Sequence, residues 1–254
     1  MKEKVACKQR SLAVCADREE DRERARALAD HLGVPMLDKM QENELMLRFC
    51  EKGLVLTDGT LELRGDFTRM LGRLKPNNLL GENLVKAAKR KDLGERPTAI
   101  DATAGLGEDA LLLAAVGFSV TLYEYDPVIA ALLQDALLRA RQIPELAEAV
   151  CRMHFIEADS LVALPALQEA PDLILLDPMF PGRQKSGLVK KKFQLLQQLE
   201  SPCGDGEALM QAAMEAHPRK IIVKRPIKGP FLADRKPNYS IEGKGIRFDC
   251  LLQL

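Results

Sequence analysis

The sequence has no internal repeat, no low-complexity tract, no C-x-x-C pair and no apolar run approaching a membrane span. These absences argue against repeat architectures and membrane-spanning folds. The six cysteines (Cys7, Cys15, Cys50, Cys151, Cys203 and Cys250) are scattered and do not cluster with His31, His154 or His217. Reduced packing thiols are expected, and no metal site. The amino-terminal stretch carries lysines, but only a short apolar patch, Leu12 to Ala16, precedes the charge-dense segment Asp17 to Arg26. That is not the layout of a secretory signal, and a cytoplasmic location is the expectation.

Net charge is absent too, since 37 Lys+Arg balance 37 Asp+Glu. The distribution is nevertheless uneven. From Arg183 onward there are 14 basic against 7 acidic residues, which leaves 23 against 30 in residues 1–182. Such asymmetry points to a polyanion at the basic end, although lysines that merely solvate helices would give the same count. The chain does have 254 residues at 46% hydrophobic content, enough for one large α/β domain with a small appendage.

Residues 11–16 read as a strand, and Glu19 to Leu32 as a charged helix closed by Gly33 and Pro35. Leu54 to Thr57, then Asp58-Gly59, then Thr60 to Arg64 reads as a hairpin, because Asp-Gly suits the tight turn that matches strand twist. A small α/β unit is thus expected over residues 1–75, with Lys75-Pro76-Asn77-Asn78 as a turn and Leu79 to Lys91 as the helix that opens a second domain, 76–254. From Thr98 the rhythm becomes strand, glycine turn, helix. Strands are expected at 98–102, 119–124, 152–157, 172–177 and 219–224, with helices near 107–116, 127–141, 187–199 and 206–216. This alternation implies a mostly parallel sheet covered on both faces. Two further strands around the Gly243 to Gly245 turn are expected to add an antiparallel edge.

In an open parallel sheet, ligands lie beyond the carboxyl ends of the strands. Asp101-Ala102-Thr103-Ala104-Gly105-Leu106-Gly107-Glu108-Asp109 occupies that place, and its glycines let backbone approach a ligand with no Cβ in the way. The run Gly105 to Ala110 also satisfies the dinucleotide pattern G-x-G-x-x-A, and Glu124 would hold a ribose in either case. Asp101 separates the two. A pyrophosphate avoids a nearby anion, whereas the ammonium and sulfonium of S-adenosylmethionine attract one. Asp109 repeats the argument, though both are also compatible with ordinary helix-start carboxylates. Tyr125 would flank an adenine. Asp159-Ser160 would meet its amino edge or else simply cap a helix.

The run Leu173-Ile174-Leu175-Leu176 ends in Asp177-Pro178-Met179-Phe180-Pro181, an acceptor and a flat stacking surface after a buried strand. An exocyclic amine on a base is a poor nucleophile because its lone pair is delocalised into the ring. Asp177 and the Pro178 carbonyl would accept its two N–H bonds, and Phe180 would stack on the ring. Methyl transfer from S-adenosylmethionine to an amino nitrogen is the chemistry these residues suit.

At this point the sequence resembles the class I methyltransferases, and within them the bacterial small-subunit (16S) ribosomal RNA guanine-N2 methyltransferases of the RsmJ type. The resemblance covers about residues 79–254. It rests on Asp101 to Gly107, Leu176 to Pro181, Gln184-Lys185-Ser186 with Leu188 to Lys191, Val223-Lys224-Arg225-Pro226, and Lys244-Gly245 with Arg247-Phe248-Asp249. Met179 stands where the wider group of amino-methylating enzymes has a second proline. The resemblance implies a Rossmann-like sheet and S-adenosylmethionine contacts at Glu108-Asp109, Glu124-Tyr125, Asp159-Ser160 and Asp177. It also implies a guanosine of small-subunit ribosomal RNA, free or in an assembling 30S subunit, as the target.

Lys185, Lys190, Lys191 and Lys192 follow the Asp177 turn, and Lys224-Arg225 close the next expected strand. These six are expected to contact RNA phosphates, which position a substrate without reading its sequence. A solvated helix face is the bland reading of the lysine run. Two competing functions stay open: an NAD-dependent oxidoreductase, which explains only the glycine turn, and a non-catalytic RNA-binding protein with a cofactor site.

Overall fold

The computed structural model describes residues 12–40, 45–89, 93–178 and 206–252. Phe180, Lys185, Lys190, Lys191, Lys192 and the helix expected at 187–199 lie outside them. The chain forms two compact units that part between Arg64 and Gly65.

The first unit is a five-stranded sheet in the order β2-β1-β3-β4-β5. Its elements are β1 (Leu12–Ala16), α1 (Arg22–Leu32), β2 (Met36–Leu37), β3 (Leu45–Cys50), β4 (Gly53–Thr57) and β5 (Glu62–Leu63). β1 runs parallel to β2 and β3, and the β3-β4 and β4-β5 pairs are antiparallel. α1 buries only Ala25 and Ala29 and ends at Gly33, whose φ of 64° admits the left-handed cap that a side chain resists. The Asp-Gly hairpin forms with a longer loop than expected. Pairing resumes at Thr57↔Glu62, and Asp58 Oδ1 accepts from the Thr60 and Leu61 N–H groups at 3.0 and 2.8 Å. The aspartate therefore builds an Asx turn across four residues instead of a two-residue turn.

The second unit starts with a 3-10 turn (Phe67–Met70) and the short helices α2 (Leu71–Leu74), α3 (Pro76–Leu79) and α4 (Asn83–Ala88). The turn expected at residues 75–78 is largely helical. Pro76 sits at the first position of α3, where its fixed φ is helix-ready and its missing N–H costs nothing. The continuous helix expected over 79–91 is broken instead at Gly81, whose N–H donates to the Asn78 carbonyl at 2.9 Å.

The remaining elements are β6 (Thr98–Asp101), α5 (Glu108–Ala115), β7 (Ser119–Glu124), α6 (Pro127–Ala140), α7 (Pro144–Cys151), β8 (Met153–Glu157), α8 (Ser160–Ala163), β9 (Leu173–Leu176), α9 (Gly206–Glu215), β10 (Lys220–Pro226), β11 (Tyr239–Glu242) and β12 (Ile246–Leu252). The strands form a seven-stranded sheet in the order β11-β12-β10-β9-β6-β7-β8. β8, β7, β6, β9 and β10 are parallel, and β12 is antiparallel to both its neighbours. The two closing strands do form around the glycine turn. The antiparallel one, β12, lies one place in from the edge, with β11 outside it.

β9 and the middles of β6 and β10 are apolar because both faces of the sheet are covered there. Ala99, Leu173, Leu175 and Ile222 pack with α4 to α7, while Ile100, Ile174, Leu176, Ile221 and Val223 pack with α9 on the opposite face. Strand order reverses between β6 and β9. From β6 the chain steps to β7 and β8 on one side, and from β9 to β10 on the other. The crevice beyond the carboxyl ends at that reversal is where such sheets place a ligand.

Candidate active site

The tight backbone at the end of β6 follows from its sequence. Asp101 is 2% exposed, and its Oδ1 accepts from the Thr103 N–H at 3.2 Å. Gly105 and Gly107 have φ of 53° and 77°, so the loop reverses twice before Gly107 caps α5. A Cβ on Gly107 would lie 2.8 Å from Leu133 Cδ1 and 3.1 Å from Phe67 Cζ, so those side chains would have to move, and its φ of 77° independently favours glycine. A Cβ on Gly105 would meet nothing within 4 Å. That open side is where a ligand can approach the backbone.

Glu124, at the end of β7, ties the loop down. Its Oε2 accepts from the Gly105 N–H at 2.9 Å and its Oε1 from the Asp126 N–H at 3.0 Å. Burial raises its pKa while these backbone donors oppose the rise. Each oxygen keeps a lone pair for a ligand hydroxyl. Tyr125 beside it is 51% exposed, the presentation a stacking face needs. Asp159 fulfils the capping alternative: its Oδ1 accepts from the Leu161 N–H at 2.8 Å at the start of α8, with Ser160 buried behind it.

The end of β9 is joined to the β6 loop by Thr103, which the sequence reading passed over. Its Oγ1 accepts from the Asp177 N–H at 2.7 Å. Asp177 Oδ2 is 2.9 Å from Lys224 Nζ, which also binds Asp109 Oδ2 on α5. One ammonium thus links β9, β10 and α5. Burial would lower the Lys224 pKa, but Asp109 and Asp177 outweigh it and raise the pKa above the usual lysine range. Burial pushes Asp177 up and Lys224 pulls it back. The Asp177 side chain is 42% exposed beside that ammonium. Asp101 differs. Burial first, then Asp109, push it up to about 8 against the pull of the Thr103 N–H.

Lys224 and Arg225 correct the expectation that both face RNA phosphates. Lys224 is held by two carboxylates. Arg225 is 1% exposed and donates from Nε and Nη2 to the Pro230 carbonyl at 2.8 and 2.6 Å, a loop anchor with no route to a phosphate. Their adjacency reads as a basic patch in one dimension, but alternation along β10 sends them to opposite faces.

The other expected residues within the described chain come together. Asp101, Gly105, Gly107, Glu108, Asp109, Glu124, Tyr125, Asp159, Ser160, Asp177 and Pro178 all lie at or just beyond the carboxyl ends of the neighbouring strands β9, β6, β7 and β8. The donor set fits S-adenosylmethionine. Carboxylates outnumber the single ammonium where a cationic amino-acid end would sit, the open face of Gly105 admits a close ligand, and Glu124 suits a ribose. Among the described residues no His, Cys, Asp and Glu group is arranged to hold a metal, and no helix is long and apolar enough to cross a membrane.

Comparison with known proteins agrees with this geometry. Residues 29–253 match a family model described as putative SAM-dependent methyltransferase. The chain is 42% identical over 239 residues to ribosomal RNA small subunit methyltransferase J of Thioalkalivibrio sulfidiphilus, covering 91% of this chain and 93% of that one. It is 41% identical to the protein of the same name from Pseudomonas aeruginosa, covering 89% of each. The crystal structure of a SAM-dependent methyltransferase from Neisseria gonorrhoeae superposes with a TM-score of 0.74 at 28% identity, covering 94% of this chain and 95% of that one. The dinucleotide alternative is thereby set aside. The chain belongs to the family of S-adenosylmethionine-dependent methyltransferases that contains the ribosomal RNA small subunit methyltransferase J proteins.

Proposed function

We propose that this protein methylates the exocyclic N2 of one guanosine in small-subunit ribosomal RNA, in the cytoplasm, as free RNA or within an assembling 30S subunit. The observation that carries the chemistry is Asp177. Its backbone is fixed by Thr103 and its carboxylate by Lys224, at the strand end next to the glycine loop. S-adenosylmethionine, when bound, supplies an electrophilic methyl group on a sulfonium. Asp101 and Asp109 would face its cationic end, Glu124 its ribose, and Tyr125 with Asp159-Ser160 its adenine.

Asp177 and the Pro178 carbonyl accept the two N–H bonds of the amine and hold its nitrogen at the reacting face. Positioning of this kind lowers the barrier without prior deprotonation. Asp177 is also placed to receive the proton released after transfer. Phe180 would stack on the base, and Lys185, Lys190, Lys191 and Lys192 would contact phosphates. The names of the relatives support ribosomal RNA as substrate, and guanine N2 rests on the resemblance of the motifs. A target in a structured RNA must be exposed or flipped for Phe180 to reach it.

The test is nucleoside mass spectrometry of small-subunit RNA from cells lacking the protein. One N2-methylguanosine should be missing, restored by the wild type and not by Asp177→Ala. Loss of a methyladenosine, or no change in any ribosomal nucleoside, would overturn the assignment.

A further inference from the structure

The loop that follows β10 is held more firmly than a surface connection needs. Two buried arginines, Arg225 and Arg247, stand behind it. Arg247 donates from Nη1 to the Pro226 and Ile227 carbonyls at 2.9 and 2.8 Å, and from Nη2 to the Gly229 carbonyl at 3.0 Å, while its Nε is fixed by Asp249 Oδ1 at 2.8 Å. Arg225 takes the Pro230 carbonyl. Four of the five carbonyls from Pro226 to Pro230 are thus anchored to buried guanidinium groups. Further on, Leu232 is buried among the core residues of α9, and Ala233 and Asp234 take φ of 51° and 50°, a conformation that residues with a Cβ resist.

What this scaffold presents is Phe231. The Arg247 guanidinium lies 5.1 Å from the centroid of its ring, against one face, yet the residue is 38% exposed. The ring is fixed from beneath and open to solvent. Lys228, Arg235 and Lys236 are exposed on the same loop, against one acidic residue, Asp234. β10 runs parallel to β9 with Val223 opposite Leu176, so the loop leaves the sheet at the edge where Asp177 stands. Burial raises the Asp177 pKa, and both Lys224 and Arg225 pull it down, which puts the root of the loop within electrostatic reach of the amine acceptor.

We propose that Phe231 is a stacking platform for the RNA base next to the accepting guanosine, with Lys228, Arg235 and Lys236 on the flanking phosphates. An exposed aromatic ring among cations is the combination that binds single-stranded RNA. Flipping the target out of its stack leaves the neighbouring base without a partner, and Phe231 supplies a replacement face that offsets part of that cost. Its role differs from that of Phe180, which is assigned to the target base itself. The inference rests on the reading of the site as an RNA amino-methylating centre, and it adds how the strand around the target is held.

The chain contains no tryptophan, so Phe231→Trp puts a single indole fluorophore at the platform while keeping a stacking ring. With the full chain saturated with S-adenosylhomocysteine, small-subunit ribosomal RNA should quench that emission, and a fully paired RNA duplex should not. Phe231→Leu keeps apolar bulk without an aromatic face, and it should weaken binding of the ribosomal RNA roughly fivefold or more, with Phe231→Trp near the wild type. S-adenosylhomocysteine affinity should be unchanged in both. Replacing Lys228, Arg235 and Lys236 together by Ala should flatten the salt dependence of RNA binding. Emission that ignores the ribosomal RNA, wild-type RNA affinity in Phe231→Leu, or an unaltered salt slope would overturn the proposal. So would a matching loss of S-adenosylhomocysteine affinity in Phe231→Leu, which would make the ring a part of the fold alone. RNA binding is measured apart from methylation, so a failure here is distinguishable from a failure to find the modified guanosine in cells.

Discussion

Replacing Lys224 by Met tests the charge arrangement at the centre of the site. The substitution keeps much of the apolar stem and removes the ammonium between Asp109 and Asp177. Side-chain exposures are 24% for Lys224, 16% for Asp109 and 42% for Asp177. The Asp177 pair is well solvated and contributes at most about 1 kcal/mol. The Asp109 pair is more enclosed, and a hydrogen bond between charged groups of that kind is worth about 1.5–3 kcal/mol. The variant should therefore be about 2–4 kcal/mol less stable near pH 8.

The loss should depend on pH in a definite direction. Lys224 has a raised pKa, so it stays charged throughout pH 5 to 8 and any pH dependence in that range comes from its carboxylate partners. Asp101 and Asp177 are acids with raised pKa values, and Lys224 lowers both. Without it they rise further, and the folded variant pays for their ionisation as pH climbs. Protonation at low pH relieves the repulsion. Urea unfolding should show a larger deficit at about pH 8 than at about pH 5. An equal deficit at both values would mean that Lys224 acts by packing alone, and no deficit would remove the charge argument.

Other consequences follow from the same geometry. Asp101, held near 8, should ionise when a cationic amino-acid group arrives, so S-adenosylhomocysteine affinity should rise with pH up to about 8 and binding should release a proton. Calorimetry in buffers of different ionisation enthalpy reads this directly, and the absence of proton release between about pH 6 and 7.5 would contradict it. Gly107→Ala combines a left-handed φ with contacts inside 3.2 Å and should cost about 2–4 kcal/mol of stability. Gly105→Ala should cost only about 1 kcal/mol in thermal unfolding, yet lose cofactor affinity because its methyl group fills the open face. Asp177→Ala should lower kcat on small-subunit RNA by roughly a hundredfold or more while the fold persists, and normal turnover would displace it from the proposed centre.

The parallel sheet was legible because its strands are buried on both faces and stand out as apolar runs between glycine turns. β3 was not legible. Leu45-Met46-Leu47-Arg48-Phe49-Cys50 has no β-branched residue and no alternation, since five of its six residues are buried. Within the site, residues that use their own motif, such as Asp101 and Asp177, could be placed from sequence. Thr103 could not, because its hydroxyl acts on a backbone N–H 74 positions away. Lys224 was visible but misassigned, since nothing local tells whether a lysine at a strand end meets solvent or two carboxylates from other elements.

The place of β12 in the sheet has a bearing on synthesis. β10 is made before β12 yet pairs with it along seven residues, Lys220 to Pro226. Until β12 leaves the ribosome, the free side of β10 is an apolar template of unpaired N–H and C=O groups, the kind of edge that recruits a neighbouring chain. β11 emerges earlier but cannot cover it, because its own partner is also β12. The hairpin therefore enters as one piece and closes two gaps together. A nascent chain stalled before β12 should be far more prone to aggregate than its remaining sequence suggests, and a β11–β12 segment supplied in trans should suppress that aggregation.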